Sequence, residues 1–217
     1  MFLGHFGIAL AARRAAPKAS LGTLVLGAQL ADLLWPIFLL LGWEQVRIDP
    51  GNTRVTPMDF VSYPWSHSLV MQIAWGALLA IVYFAIRRDA RSALVAGACV
   101  PTHWVLDWIT HRPDMPIVPG GARYGLGMWN SIPLTLAAEF ALFGIGALIY
   151  LRATKSRDRT GAIALWALLL FLGIVYLAST FGSPPPNEHA VAYMTLAMWL
   201  LVPWAAWADH QRVPISN

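Results

Sequence analysis

Cysteine is nearly missing from this chain. One residue, Cys99, in 217 excludes an internal disulfide framework and a Cys-rich zinc site. Charge is scarce too: Asp, Glu, Lys and Arg make up 12% of the residues, against ~25% in an ordinary soluble domain. The net charge of +4 is not a nucleic-acid footprint, because the cations sit beside apolar runs, which is the membrane-topology pattern. No internal repeat or low-complexity tract is visible. Residues 1–10 have neither a basic leading region nor a small-residue cleavage site, so no cleavable signal peptide is expected.

What remains is apolar. Hydrophobic residues reach 58% and the mean hydropathy is +0.57. Several runs attain the ~20 residues that a helix needs to cross a bilayer. The expected fold is all-α: a polytopic integral membrane protein with about six transmembrane helices, near 20–43, 64–86, 92–110, 131–150, 161–180 and 191–208. A short apolar helix over residues 1–12 precedes them and dips into the membrane or lies in a packed groove. Ser20 is a suitable N-cap for the first span, Pro64 suits the first turn of the second, and Pro36 is expected to kink the first span or end its regular part. Residues 44–63 and 111–133 are rich in Pro and Gly and read as loops. The whole of 1–217 is one transmembrane domain, with the chemistry in 1–150 and two further spans in 151–217.

Charge orients these spans. Segments 13–18, 87–91 and 152–159 hold ten of the 15 Lys and Arg at alternate span ends, so the positive-inside rule places them, and both termini, in the cytoplasm.

The feature that asks for an explanation is VPTHWVLDWITHRP, residues 100–113. His103, Asp107 and His111 recur every four residues and share one helical face. Ionisable groups at membrane depth are costly and tend to be functional. At ~1.5 Å per residue, Asp32 and His103 both fall ~18 Å from the cytoplasmic end, Asp107 falls at ~24 Å, and Glu139 lies ~12 Å in from the outer end. His67 lies within a turn of the outer boundary. Four spans therefore bring acids or imidazoles to the outer half of the bilayer. His and Asp ligands suit Zn²⁺, Mn²⁺ or Fe²⁺, and such an ion makes a nucleophile of water near neutral pH. His189 and His210 read as surface residues.

Four tracts carry a family resemblance: GHFGIAL (4–10), LGAQLADLLWP (26–36), WSHSLV (65–70) and THWVLDWITH (102–111). Together they resemble the bacterial inner-membrane metal-dependent hydrolase-like family, known for a LexA-regulated member. That family shows an early GH, then P-D-x-D-H, H-R-G-x-T-H-S and H-x-x-x-D tracts. The His/Asp pattern is also distantly similar to that of zinc-dependent phospholipases C. The similarity covers about the first 130 residues and implies site roles for His5, Asp32, His67, His103 and Asp107. Leu34 and Trp35 stand where the family has Asp and His, and Ser62, Tyr63 and Pro64 stand where it has H-R-G. These departures favour one metal over two, with His111 supplying one of the missing groups.

The resulting expectation is a membrane-bound metal-dependent hydrolase of a bacterial inner membrane. Its metal ligands are drawn from His5, Asp32, His67, His103, Asp107 and His111, with zinc the first choice and manganese or iron the others. Glu139, or a carboxylate not used as a ligand such as Asp107, is the candidate general base. Arg112 and Arg123 are candidate phosphate contacts. The partners are membrane lipids and an amphiphilic phosphoester substrate, not nucleic acid. The rival reading is a metal-ion or small-solute permease, or a scaffold whose polar cluster is structural. The missing repeat speaks against a carrier, while Pro36 and Pro101, near Asp32 and His103, speak for one.

Overall fold

Apolar runs closed by polar caps make most of the structure, a computed structural model that describes residues 1–215; 68% of it is helix and 9% strand. The chain opens with α1 (Leu3–Ala15), α2 (Leu21–Ala28) and α3 (Leu30–Leu40). A hairpin of β1 (Gln45–Ile48) and β2 (Met58–Ser62) follows, and then α4 (Pro64–His67), α5 (Leu69–Arg87) and α6 (Ala90–Thr110). A second strand pair, β3 (Met115–Pro116) and β4 (Arg123–Tyr124), leads to α7 (Ile132–Ala153), β5 (Thr154–Ser156) and α8 (Arg159–Phe181). The chain closes with α9 (Glu188–Leu196), a 3₁₀ turn, α10 (Leu201–His210) and β6 (Arg212–Pro214).

Four segments are long and apolar enough to cross a membrane: α5, α7, α8 and the composite Glu188–His210. The pair α2 and α3 makes a fifth if it counts as one span, bent by 57°. The expected third span, α6, has 21 residues, but its polar stripe keeps it out of this class. Helices α5, α7 and α8 expose Ile73, Ile81, Leu134, Ile145, Leu170 and Ile174, large apolar side chains of the kind that meet lipid rather than water.

Several expectations change in detail. Ser20 does cap α2, its hydroxyl accepting from Thr23 N–H at 3.1 Å. The first span breaks at Gln29, however, and Pro36 sits inside α3 without ending it. The second span divides at Ser68, whose extended backbone ends α4 and whose hydroxyl caps α5. The presumed loop over 44–63 contains the antiparallel β1–β2 pair, with Arg47 opposite Asp59, and the polar C-terminal stretch pairs as β6 with β5.

Of the two placements expected for the N-terminal helix, α1 takes the packed one. It lies at the centre, against α7, α2 and α6, with Leu3, Phe6 and Leu10 in the main core. Glycine allows this approach: a Cβ on Gly7 would stand 2.6 Å from the Leu142 carbonyl oxygen. Gly146 faces the Gly7 backbone just as closely. At one end of the bundle, Asp209 accepts from Arg13 Nε (3.1 Å), Tyr150 Oη (2.7 Å) and Leu21 N–H (3.1 Å). That contact ties α1, α2, α7 and α10 together at the end that carries the basic segments.

Candidate metal centre

The opposite end of α1 meets the polar stripe. Helix α6 carries His103 and Asp107 on its buried face, and His111 caps its C-terminus in extended conformation. All three are buried, as are His5 from α1 and His67 from α4. The bend at Gln29 sets Asp32 in the first turn of α3, and its carboxylate is the one site group with appreciable exposure, 22%. The six residues expected as ligands thus converge on one place.

Asp107 is the hub. Its Oδ2 lies 3.1 Å from His103 Nε2, 3.8 Å from His111 Nε2 and 3.9 Å from His67 Nε2. Its Oδ1 meets His5 Nε2 at 3.1 Å and pairs with the Met1 amino group. Asp32 Oδ1 closes the other side, 3.4 Å from His67 Nε2 and 3.7 Å from His103 Nε2. Within these contacts, two sets hold their ligand atoms within 4.8 Å of one another: His5, His103 and Asp107, and Asp32, His67 and His103. The His5 and His103 rings stack in parallel at 3.6 Å between centroids.

Whether a cation fits can be judged from the hydrogen bonds. His103 Nδ1 lies 2.9 Å from the Ala28 carbonyl oxygen. An oxygen acceptor requires that nitrogen to carry a proton, which leaves Nε2 as the ring atom that faces Asp107 and Asp32. That Nε2 is buried and makes no hydrogen bond among the described residues, although a carboxylate oxygen stands 3.1 Å away. A buried polar atom left without a hydrogen bond costs about 1–3 kcal/mol, and here it faces two carboxylates and further imidazoles. A positive ion satisfies all of these groups at once, so the donor set fits a divalent metal.

Sequence reading missed the groups behind the ligands. Glu44, buried just before β1, accepts from Trp65 N–H and Ser66 N–H at 2.8 Å each and meets Ser66 Oγ at 2.6 Å. Ser66 Oγ is in turn 2.6 Å from His67 Nδ1. His111 Nδ1 meets Asp114 Oδ1 at 2.9 Å, and Tyr63 donates its hydroxyl to that same oxygen at 2.8 Å. Burial, with the Asp114 carboxylate beside it, pushes the Tyr63 phenol well above its ordinary value and keeps it a donor. Burial also lowers the His111 pKa and favours the neutral ring, against the pull of Asp114 and Asp107. Burial raises the Glu44 carboxyl, opposed by His67 and by the Ser66 and Trp65 donors. The one available signal was the recurrence of His and acids on both sides of the Pro-rich turns, as in HRPD (111–114).

The remaining candidates lie outside the ligand atoms. Glu139 accepts from Phe2 N–H and Gly4 N–H, 2.8 Å each, and so holds the N-terminal turn of α1. Arg112 is taken up by Asp59, Asn52 and Asp114. Arg123 donates to the Val61 carbonyl at 2.9 Å. The chain matches no protein-family profile, no curated protein and no solved structure.

Proposed function

We propose that the protein is a membrane-embedded hydrolase that depends on a divalent metal and acts on an amphiphilic phosphoester. The observation that carries this reading is the convergence of His67, His103, His111, Asp107 and Asp32 around an orphaned His103 Nε2. His67, His103, His111, Asp107 and Asp32 would hold a divalent ion there, zinc in the first instance, which would supply Lewis acidity and lower the pKa of a water. The resemblance to the bacterial inner-membrane hydrolase-like family points the same way. It also suggests a bacterial inner membrane, while the apolar runs and the basic segments at alternate span ends support six spans, α6 among them, with both termini cytoplasmic.

The chain's own residues divide the work. Asp107 orients three imidazoles through Oδ2 and His5 through Oδ1. Asp32, the exposed carboxylate of the set, would hold the ion with His67 and His103 on the side open to an incoming water. Glu139 acts at one remove, by fixing the α1 turn that carries His5. Of the two arginines, Arg123 has the fewer partners and is the better phosphate contact. The test is hydrolysis of phospholipid and polyprenyl phosphoesters in mixed micelles, before and after chelation and metal re-addition. Metal-restored turnover that Asp32→Asn abolishes is expected. If no phosphoester is cleaved by metal-loaded protein, the enzyme reading fails.

One observation favours a second reading, a metal-ion permease: α2 and α3 form a broken helix beside Asp32, and broken helices flank the sites of many carriers. Uptake of the metal by proteoliposomes without any hydrolysis would select it.

A further inference from the structure

His67 is held from behind by a two-residue chain, Glu44 and Ser66, to which no role has been given. The hydroxyl of Ser66 has one proton. Glu44 Oε2, 2.6 Å away, is a carboxylate oxygen and accepts, so that proton points at Glu44. Ser66 Oγ then has only lone pairs to offer His67 Nδ1 at 2.6 Å, and Nδ1 must carry the imidazole proton. Nε2 is left with its lone pair, 3.4 Å from Asp32 Oδ1 and 3.9 Å from Asp107 Oδ2. Glu44 Oε1 meanwhile accepts from Trp65 and Ser66 N–H and so pins the short helix that bears His67.

The geometry points to Glu44, acting through Ser66, as the positioning residue that fixes the His67 tautomer and thereby sets the affinity of the site for a divalent cation. Outer partners of this kind are known to orient metal-binding imidazoles, and their loss typically weakens binding 10–100-fold. Asp114 stands behind His111 in the same relation. The ligand of His67 is here the cation of the proposed function, but the tautomer itself does not depend on one.

Substitution separates this role from simple helix capping. Glu44→Gln keeps the shape and can keep an oxygen on the two N–H groups, but turns an NH₂ towards Ser66. Ser66 Oγ then accepts from the amide and donates to His67 Nδ1, which moves the imidazole proton to Nε2. Ser66→Ala leaves the Glu44 capping bonds in place and removes only the link, and Ser66→Thr restores the hydroxyl. The experiment combines ¹⁵N NMR of the His67 ring in metal-free protein with Co²⁺ titration followed by its visible absorption.

In wild type and Ser66→Thr we expect Nδ1 protonation and full cobalt affinity. In Glu44→Gln we expect Nε2 protonation, and in both Glu44→Gln and Ser66→Ala a 10–100-fold weaker affinity. Unchanged tautomer and affinity in Glu44→Gln and Ser66→Ala would overturn the inference. Wild type that binds no cobalt, yet shows the Nδ1–H tautomer and its reversal in Glu44→Gln, would keep the positioning role and sink the metal reading instead.

Discussion

Asp107 serves different partners with its two oxygens, and this makes it the most demanding position in the site. Oδ1 pairs with the Met1 amino group and meets His5 Nε2, whereas Oδ2 faces three imidazole nitrogens at 3.1–3.9 Å. Asp107→Asn keeps the volume and one acceptor but removes the charge. Such a variant is expected to fold and to lose metal affinity by more than the ~100-fold upper range of outer-partner changes; equilibrium dialysis checks this. His111 gives a pH prediction. Burial holds its pKa below the ordinary 6.5, so the unfolded chain takes up a proton that the folded chain resists. The stability due to neutral His111 is therefore complete above 6.5 and is lost as pH falls below it. Between about pH 7.5 and about pH 5.5, metal-free wild type should lose more thermal stability than His111→Gln. Equal losses would show that His111 is not held neutral.

At the scale of elements, the close approach of α1 to α7 sets where His5 stands. Gly7→Ala would bring a methyl within 2.6 Å of the Leu142 carbonyl oxygen, on backbone that cannot rotate away. We expect a cost of about 1–3 kcal/mol, the usual range for overpacking, with weakened metal binding as α1 shifts; thermal melts with and without metal measure both. The stripe of His103, Asp107 and His111 was legible because four-residue spacing maps directly onto one helical face. Asp32 and His67 were legible as isolated polar groups in apolar surroundings, a costly placement that marks itself, whereas His5 entered only through the family resemblance. Glu44, Ser66 and Asp114 were not. They sit in polar stretches where an acid or a hydroxyl is unremarkable, and only the β1–β2 hairpin and the turn at Ser68 bring them behind the imidazoles. The break at Gln29 was hidden for a similar reason. Proline marks a possible kink, yet the chain bends where the Ala28 carbonyl has a partner in His103.

For the whole molecule, the two ends are chemically distinct. The centre of His and Asp groups lies at one end, and Asp209 gathers Arg13, Tyr150 and Leu21 at the other. Arg13 and Asp209 are both buried, so removing one charge leaves the other unpaired. Arg13→Met is expected to destabilise the fold by about 3–5 kcal/mol, read from thermal or denaturant unfolding in detergent, without altering the ligand set. Pairing of β5 with β6 fixes the C-terminal stretch at the same end as the basic 152–159 segment. Reporters fused after Arg159 and after His210 should therefore report the same compartment, the cytoplasm in the proposed topology, and one fused within the 44–63 hairpin the opposite one. Sequence made the apolar spans and their alternating basic ends plain. It understated α1, because a 13-residue helix is too short to span and its central packing depends on glycine contacts with a helix more than a hundred residues away.

The central claim is that these His and Asp side chains hold a metal ion. Elemental analysis of protein purified in detergent after metal supplementation tests it most directly, with His103→Ala and Asp107→Ala measured in parallel. Wild type should carry about one equivalent of a divalent transition metal, zinc foremost, and the two variants should carry almost none. Wild type without stoichiometric metal, or variants that retain as much as wild type, would contradict the account.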